Sequence, residues 1–289
     1  MILVARLRKF VIQNNINMKK GILFFASLLV LVVASCSTNP VTGKRTLALV
    51  PNSEIFASSF SQYGEFLKTN KVITGTADAK RVESVGMKIR AAAEKLLKAK
   101  GTQGQLEGYA WEYKLVDSKE VNAWCMPGGK IVFYSGILPV CKDDAGMATV
   151  MGHEVAHALA NHGQQRMSAG LAQQLGAGVT QAVVGGKSAE TQALVMQAYG
   201  IGTSVGGMLP FSRSHETEAD EIGLTLMAIA GFNPESSVAF WERMSAKSGG
   251  GAPAEILSTH PSDATRIANL KKLIPKAKAE AAKFGVTFK

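Results

Sequence analysis

The stretch His153-Glu154-Val155-Ala156-His157 decides how the rest of the sequence is interpreted, because it is a complete H-E-x-x-H pattern. Residues four apart on an α-helix are separated by only about 40° around the helix axis, so both imidazoles can bind one metal ion. Glu154 points in a neighbouring direction, from which its carboxylate can reach a water molecule beside that metal. The pattern predicts a helix that carries a zinc site and a general base.

A third ligand is needed to complete such a site, and Glu216 with Asp220 is the best candidate pair. The two carboxylates lie four residues apart and share one face of a helix predicted over residues 214–230. This spacing allows Glu216 to bind the metal while Asp220 orients a ligand imidazole or a bound water. The alternative is a solvated acidic face that also includes Glu218 and Glu221.

The remaining three histidines lie outside the H-E-x-x-H pattern. His162 follows His157 by five residues on a different face of the predicted helix, and is therefore badly placed as a ligand. We interpret His162 and His215 as solvated residues at helix ends. His260 precedes a proline, so its simplest interpretation is a surface turn at the start of a helix.

Four further segments match motifs of a single protein family, and they occur along the chain in the order found in that family. Residues 212–223 read Ser-Arg-x-x-Glu-x-x-Ala-Asp-x-x-Gly, and matching segments occur at 39–43 (Asn-Pro-Val-Thr-Gly), 122–131 and 258–266. Together they resemble metallopeptidase family 48, in its periplasmic lipoprotein branch, over about residues 37–275. The resemblance implies an α+β, zincin-like (gluzincin) fold, mainly helical, with a small β-sheet beside the active-site helix. It also implies one zinc ion per chain.

The same resemblance assigns roles to residues of the motif. It implies that His153, His157 and Glu216 bind zinc, and that Asp220 orients groups near the site or donates a proton. Glu154 would accept a proton from a zinc-activated water and deliver it to the leaving amine.

Residues outside the proposed zinc ligands carry competing interpretations. His260 and Arg266 are both candidates for the cationic donor that stabilises the oxyanion. His260 has a rival role, in which it occupies the fourth zinc position and keeps the enzyme latent. The strand at Asn122 and Ala123 is expected to pair with an extended substrate peptide, unless it pairs only within the sheet.

The N-terminal 36 residues have the features of a lipoprotein signal peptide. Their apolar run at 22–34 is too short to span a membrane comfortably, and it leads into a lipobox-like sequence ending at Cys36. Cys36 is the expected lipidation site, and residues 1–17 read as an over-long start. Ser37 favours the outer membrane, on the periplasmic face of a Gram-negative bacterium. The alternatives are a simple signal anchor or cleavage without lipid.

Charge and cysteine content restrict the remaining function classes. The formal charge of +10 falls to +5 without the first 36 residues, which hold five basic residues and no acid. That mild surplus does not indicate nucleic-acid binding. Cys125 and Cys141 either form a disulfide or are buried small apolar residues, and we favour burial because no disulfide framework is evident.

The organisation predicted beyond residue 36 is a tether at 37–52 and a single catalytic domain at 53–289. Apolar spacing predicts helices at 54–70, 77–100, 145–162, 214–230, 234–246 and 263–278. Alternation predicts strands at 111–116, 121–126 and 130–134. The Gly-, Ala- and Gln-rich region 163–210 is interpreted as mobile helices or a lid.

These patterns favour a zinc endopeptidase that acts on unfolded or misassembled envelope proteins, is bound to the membrane by its lipid, and has possible contacts with outer-membrane assembly machinery. One alternative is an assembly factor or chaperone whose zinc site is usually closed by His260. A weaker alternative is a structural lipoprotein with an inactive motif.

Overall fold

The computed structural model describes residues 36–203, 208–247 and 264–288, and the architecture below is that of these residues. Strands β1 and β2 open the described chain and are followed by two long helices with β3 between them: β1 (Cys36–Thr38), β2 (Arg45–Leu47), α1 (Asn52–Thr69), β3 (Val72–Ile73) and α2 (Ala77–Ala99). Next come β4 (Glu112–Val116), β5 (Ala123–Met126) and β6 (Lys130–Tyr134). Helices make up the rest: α3 (Leu138–Cys141), α4 (Asp144–Leu159), α5 (His162–Val184), α6 (Ala189–Thr203), α7 (Leu209–Ile229), α8 (Ser236–Lys247) and α9 (Ala264–Ala282).

The fold is α+β, mostly helical with one small mixed sheet. The strand order is β3-β4-β6-β5, in which β4 and β6 are parallel and the other two pairings are antiparallel. Strand β5 is the outermost of the strands on one side and packs against α4. The sheet thus presents a strand edge beside the helix that carries the H-E-x-x-H pattern.

Helix α4 lies at the centre of the domain. All of residues 146–159 are buried, which suits a helix whose sequence is apolar or small on every side. Its first turn is capped by the Asp143 carboxylate, which accepts a hydrogen bond from the Gly146 N–H at 2.8 Å. This cap fixes where the helix begins.

Two glycines allow α4 and α7 to touch backbone to backbone. A Cβ added at Gly152 would lie 2.7 Å from the Gly223 carbonyl oxygen, and one added at Gly223 would lie 2.9 Å from the His153 nitrogen. No larger residue fits at either position without separating the helices. This crossing places the start of the H-E-x-x-H pattern directly against the helix that carries Glu216.

The remaining helices surround this crossing. Helix α2 contributes an apolar stripe of Val82, Val85, Ile89 and Ala93, all of which are buried in the core. Helices α8 and α9 close the other side, α8 against α4 and α9 against α7 and α8.

Several sequence-based expectations need correction or adjustment. The segment 37–52 is not an extended tether: it forms the β1–β2 hairpin, and Asn39 is buried at 2% exposure. Helix α7 begins at Leu209, earlier than predicted. Pro210 does not prevent this start, because it lies in the first turn, where its missing N–H has no partner within the helix. Where described, region 163–210 forms most of α5, all of α6 and the start of α7, with a short turn at residues 185–188 between α5 and α6.

Two other expectations concern covalent links and the membrane. Cys125 and Cys141 are free thiols, as favoured, and burial raises the pKa of the Cys141 thiol to about 12. Among the described helices, none combines the length and apolarity needed to cross a membrane. The predicted signal peptide before Cys36 lies outside the described residues.

Candidate metal centre

Three side chains from α4 and α7 converge on one point. The Nε2 atoms of His153 and His157 are 3.1 Å apart, and each lies 3.3 Å from a carboxylate oxygen of Glu216. One donor atom from each residue falls within 4.8 Å of the others, a spacing that suits a single metal ion. The histidine side chains are 4% and 6% exposed whereas that of Glu216 is 16% exposed, so the opening of the site lies on the Glu216 side.

The second nitrogen of His153 contacts Asp220. His153 Nδ1 lies 3.0 Å from Asp220 Oδ1, and Arg266 donates to both Asp220 oxygens, from Nε at 2.8 Å and from Nη2 at 2.6 Å. The guanidinium also lies over the Trp241 ring, 3.6 Å from its centroid. Burial alone would raise the pKa of Asp220, but Arg266 and His153 outweigh it and hold the pKa below its ordinary range.

The surroundings of His153 favour a proton on its ring. Burial and the charge of Arg266 lower its pKa, but hydrogen bonds to Asp220 and Glu216 outweigh them and raise the pKa to about 9. A metal ion that binds Nε2 must displace a proton, whereas the Nδ1–H that faces Asp220 can remain.

The second nitrogen of His157 contacts His162. Their Nδ1 atoms are 2.9 Å apart, and His162 Nε2 lies 3.1 Å from Glu218 Oε2. His162 is fully buried at 0% exposure, so its interpretation as a solvated helix-end residue was wrong. Burial lowers the pKa of His162 despite the carboxylate of Glu218, which favours the neutral imidazole.

A break after α4 explains why His162 reaches His157. Asn161 has φ 56° and ψ 33°, a left-handed conformation, and the chain then begins a new helix at His162. An unbroken helix would have placed His162 on another face. The sequence signal that was missed is Asn161, because asparagine adopts this conformation more readily than most residues.

His215 is buried as well, at 2% exposure, which corrects its interpretation as solvated. Its ring stacks on His162 with centroids 4.0 Å apart, and its Nε2 lies 3.0 Å from Gln165 Oε1. Burial and the neighbouring His162 lower the pKa of His215 to about 3, so it remains neutral around pH 7. Its role is to pack against and support the His162 ring.

Glu154 lies on α4 between the two histidines and is 4% exposed. On the sheet side it lies near Cys125, whose thiol pKa is raised by burial and then by the Glu154 charge. The candidate base is therefore close to Cys125 of strand β5.

The other candidate residues fall into three groups. Asn122 and Ala123 lie at the start of outer strand β5, where Ala123 pairs with Phe133. Arg266 lies beside His153 and Asp220, so its described contacts show a residue that positions Asp220, and the oxyanion role remains a prediction. His260 lies outside the described residues.

The donor set fits a divalent metal ion. Two imidazoles whose Nδ1 atoms face hydrogen-bond partners direct their Nε2 lone pairs to one point, and a carboxylate from a second helix completes the group. Nitrogen and carboxylate donors in this arrangement are those of catalytic zinc sites. With Glu154 beside them, these side chains form the set found in metallopeptidase sites.

The comparison with known proteins agrees: the chain belongs to peptidase family M48, whose model matches residues 83–274. It is 38% identical to the mitochondrial metalloendopeptidase OMA1 of Saccharomyces cerevisiae over 204 residues, 68% of this chain and 56% of the relative. The Arabidopsis thaliana OMA1 is 39% identical over 62% of this chain and 34% of that relative. The β-barrel assembly-enhancing protease of Escherichia coli is 30% identical over 56% of this chain and 34% of its own length. The chain therefore spans about half or less of these relatives.

Proposed function

We propose that this chain is a zinc-dependent endopeptidase of zincin-like fold that hydrolyses peptide bonds in unfolded or misassembled envelope proteins. The observation that carries the proposal is the convergence of His153 Nε2, His157 Nε2 and the Glu216 carboxylate within 4.8 Å. Each imidazole is oriented by a partner on its far nitrogen, Asp220 for His153 and His162 for His157. These partners orient both imidazoles so that their Nε2 lone pairs are available to a metal ion.

Zinc, Glu154 and Asp220 would have separate roles in the reaction. Zinc, when bound, supplies Lewis acidity that polarises a peptide carbonyl and makes a water molecule acidic enough to ionise near neutral pH. Glu154, buried beside the site, accepts the proton from that water and delivers it to the leaving amine. Asp220 keeps the proton of His153 on Nδ1, so that Nε2 remains a lone-pair donor.

Strand β5 supports an extended peptide as substrate. The Asn122 carbonyl accepts a hydrogen bond from the Tyr134 N–H of β6 at 3.1 Å, so the next peptide group, at Ala123, faces the outer edge. There the Ala123 N–H donates to the Asn122 side-chain oxygen at 2.9 Å. An added substrate strand would replace that side-chain contact with a main-chain one. Pairing of this kind recognises the peptide backbone and not particular side chains. It therefore favours unfolded segments of many sequences over one specific sequence.

The cellular setting rests on the N-terminus and on one relative. The lipobox-like sequence supports attachment through Cys36, and β1 begins at that residue, so the lipid would lie one hairpin away from the catalytic domain. The Escherichia coli relative is a β-barrel assembly-enhancing protease by name, which supports substrates or partners in outer-membrane assembly. We propose a lipid-anchored protein on the periplasmic face of the outer membrane.

The test uses Glu154→Gln with Glu190→Gln, an exposed glutamate on α6, as the matched control. Wild type and both variants should contain one zinc per chain by metal analysis. Cleavage of an unfolded protein should fall about 10²–10⁴-fold in Glu154→Gln alone, because the general base is lost. Absence of stoichiometric zinc in the wild type, or full cleavage by Glu154→Gln, would refute the proposal.

A second readout separates proteolysis from assembly. Glu154→Gln is expressed in a strain that lacks the gene, and envelope function is scored. Failure of the variant supports proteolysis as the main role. Full restoration of envelope function without cleavage would instead support the assembly-factor role.

A further inference from the structure

A chain of hydrogen bonds connects the metal centre to the N-terminal segment. Thr42 Oγ1 donates to Glu218 Oε1 at 2.7 Å, and Asn39 Nδ2 donates to the same oxygen at 3.1 Å. The other oxygen of Glu218 lies 3.1 Å from His162 Nε2, and His162 Nδ1 lies 2.9 Å from His157 Nδ1. We call residues 39–42 the N-terminal strap.

The chemistry of these groups fixes the direction of every link. An ionised carboxylate only accepts hydrogen bonds, so His162 must carry its proton on Nε2. The Nδ1–Nδ1 contact then needs one donor and one acceptor. If His162 Nδ1 is the acceptor, His157 carries its proton on Nδ1 and donates it to His162. The lone pair of His157 Nε2 is then available to a metal ion.

Both carboxylate oxygens of Glu218 face hydrogen-bond donors. Its side chain is 8% exposed and receives one imidazole, one hydroxyl and one amide donor. Three donors are directed at its two oxygens, so Glu218 is placed to act as the acceptor of every link. Loss of the strap donors would leave a buried carboxylate with one identified donor instead of three, free to turn away from His162.

The strap is itself an ordered structure. The Asn39 side-chain oxygen accepts from the Val41 and Thr42 N–H groups at 2.9 and 3.1 Å, and Gly43 closes the turn with a φ of 74°. The Thr102 hydroxyl, at the end of α2, donates to the Pro40 carbonyl at 2.9 Å. The strap is therefore fastened to the domain and can orient Glu218 by its position.

We infer that Glu218 and His162 are positioning residues for the metal ligand His157, and that the N-terminal strap sets metal affinity through them. The inference rests on the proposed function only in requiring that His157 binds zinc. It adds that detachment of the strap, for instance by tension on the N-terminus, weakens the metal site without a change in any ligand.

The test is zinc affinity, measured by chelator competition on the full-length chain purified in detergent micelles. Thr42→Val removes the hydroxyl donor and keeps the shape, and we expect affinity to fall several-fold. Glu218→Gln leaves one acceptor oxygen for His162 and the strap donors, and His162→Gln replaces the imidazole between Glu218 and His157 with a neutral amide. A loss of about 10–100-fold is expected, as for other supporting groups of metal ligands. Thr46→Val is the matched control, because its hydroxyl donates to the Ser37 carbonyl at 3.4 Å and not to Glu218.

Two readouts keep a local effect apart from unfolding. The visible spectrum of the Co²⁺-loaded protein should change in His162→Gln and Thr42→Val and stay unchanged in Thr46→Val. Urea unfolding without zinc should show a single cooperative transition for both threonine variants, with Thr42→Val the less stable because the buried Glu218 loses a donor. Zinc affinity and Co²⁺ spectra equal to wild type in both Thr42→Val and Glu218→Gln would overturn the inference, whereas a wild type that binds no zinc would refute the proposed function itself.

Discussion

At the scale of single residues, the site depends on which nitrogen of each histidine carries a proton. Both proposed ligand imidazoles contact a partner through Nδ1, at 3.0 Å for His153 with Asp220 and 2.9 Å for His157 with His162. Both therefore direct Nε2 to the same point. The partners differ in kind: a carboxylate held by Arg266 in one case, a neutral imidazole held by Glu218 in the other.

Asp220→Asn tests the carboxylate partner. Asparagine keeps one acceptor oxygen but carries an NH2 donor in place of the other, so one Arg266 N–H would face a donor, and the buried Arg266 charge loses its partner. We expect zinc affinity to fall about 10–100-fold. We also expect the free energy of unfolding, measured without zinc at pH 7, to fall by about 3 kcal/mol.

The control for Asp220→Asn is Asp117→Asn, which removes an exposed ion pair with Lys71 and should cost less than about 1 kcal/mol. The pH dependence gives a second check. Because folding lowers the pKa of Asp220, its stabilisation is present above the unfolded pKa of about 3.9 and is lost as pH falls through the folded value. Equal stability of wild type and Asp220→Asn at pH 7 would contradict this account.

Residue by residue, the sequence predicted the groups that converge but not what supports them. His153, His157 and Glu216 were found because their spacing repeats the helical period. His162 was misplaced because periodicity assumes an unbroken helix, and Asn161 ends it. Glu218 shares a helix with Glu216, yet its burial depends on the N-terminal strap, a contact across 176 residues that local patterns do not contain.

At the scale of elements, the distance between α4 and α7 sets the geometry of the site. Gly223→Ala would bring a Cβ to 2.9 Å from the His153 backbone nitrogen, and no flexible side chain is there to move away. The helices must separate, which shifts His153 relative to Glu216. We expect a loss of about 1–3 kcal/mol in the free energy of unfolding and reduced zinc affinity.

Gly64→Ala is the matched control for this substitution. Gly64 lies inside α1 with no atom within 4 Å of the added Cβ, so alanine should stabilise the helix by up to about 1 kcal/mol. Urea unfolding of both variants gives the comparison. If the two substitutions change stability in the same direction, the close crossing does not determine helix spacing.

Asn161→Gly and Asn161→Val test the break between α4 and α5. Glycine adopts a positive φ without cost and should leave stability and zinc affinity near wild type. Valine is strained there, and we expect a loss of about 1–3 kcal/mol together with weaker zinc binding, because His162 moves away from His157. Thermal unfolding and chelator competition measure both effects, and a valine variant with unchanged zinc affinity would contradict them.

The elements themselves were largely predictable. Alternation located β4, β5 and β6, and apolar spacing located α2 to within one residue at its C-terminal end. The hairpin β1–β2 and the two-residue strand β3 were missed, since strands of two or three residues have too few positions for a pattern. The order β3-β4-β6-β5 was not predictable either, because it depends on pairings between distant segments.

At the scale of the whole molecule, a bound metal joins two helices that are far apart in the sequence. His153 and His157 come from α4 and Glu216 comes from α7. These helices form the centre of the core, with α2, α8 and α9 packed around them. A ligand that binds only the folded state adds stability to the entire domain, so metal content and unfolding temperature must change together.

The last prediction is that removal of zinc lowers the melting temperature of the whole domain. Zinc at 100 times its dissociation constant adds about 2.7 kcal/mol, which corresponds to about 5–10 °C for a domain of this size. In Glu216→Gln the shift should largely disappear, because the α7 link is lost. Glu221 lies on the same helix as Glu216, and Glu221→Gln, which breaks only an exposed ion pair with Lys276 of α9, should retain the shift. Calorimetry with and without chelator measures all three proteins, and an equal chelator effect in Glu216→Gln and wild type would show that Glu216 does not bind the metal.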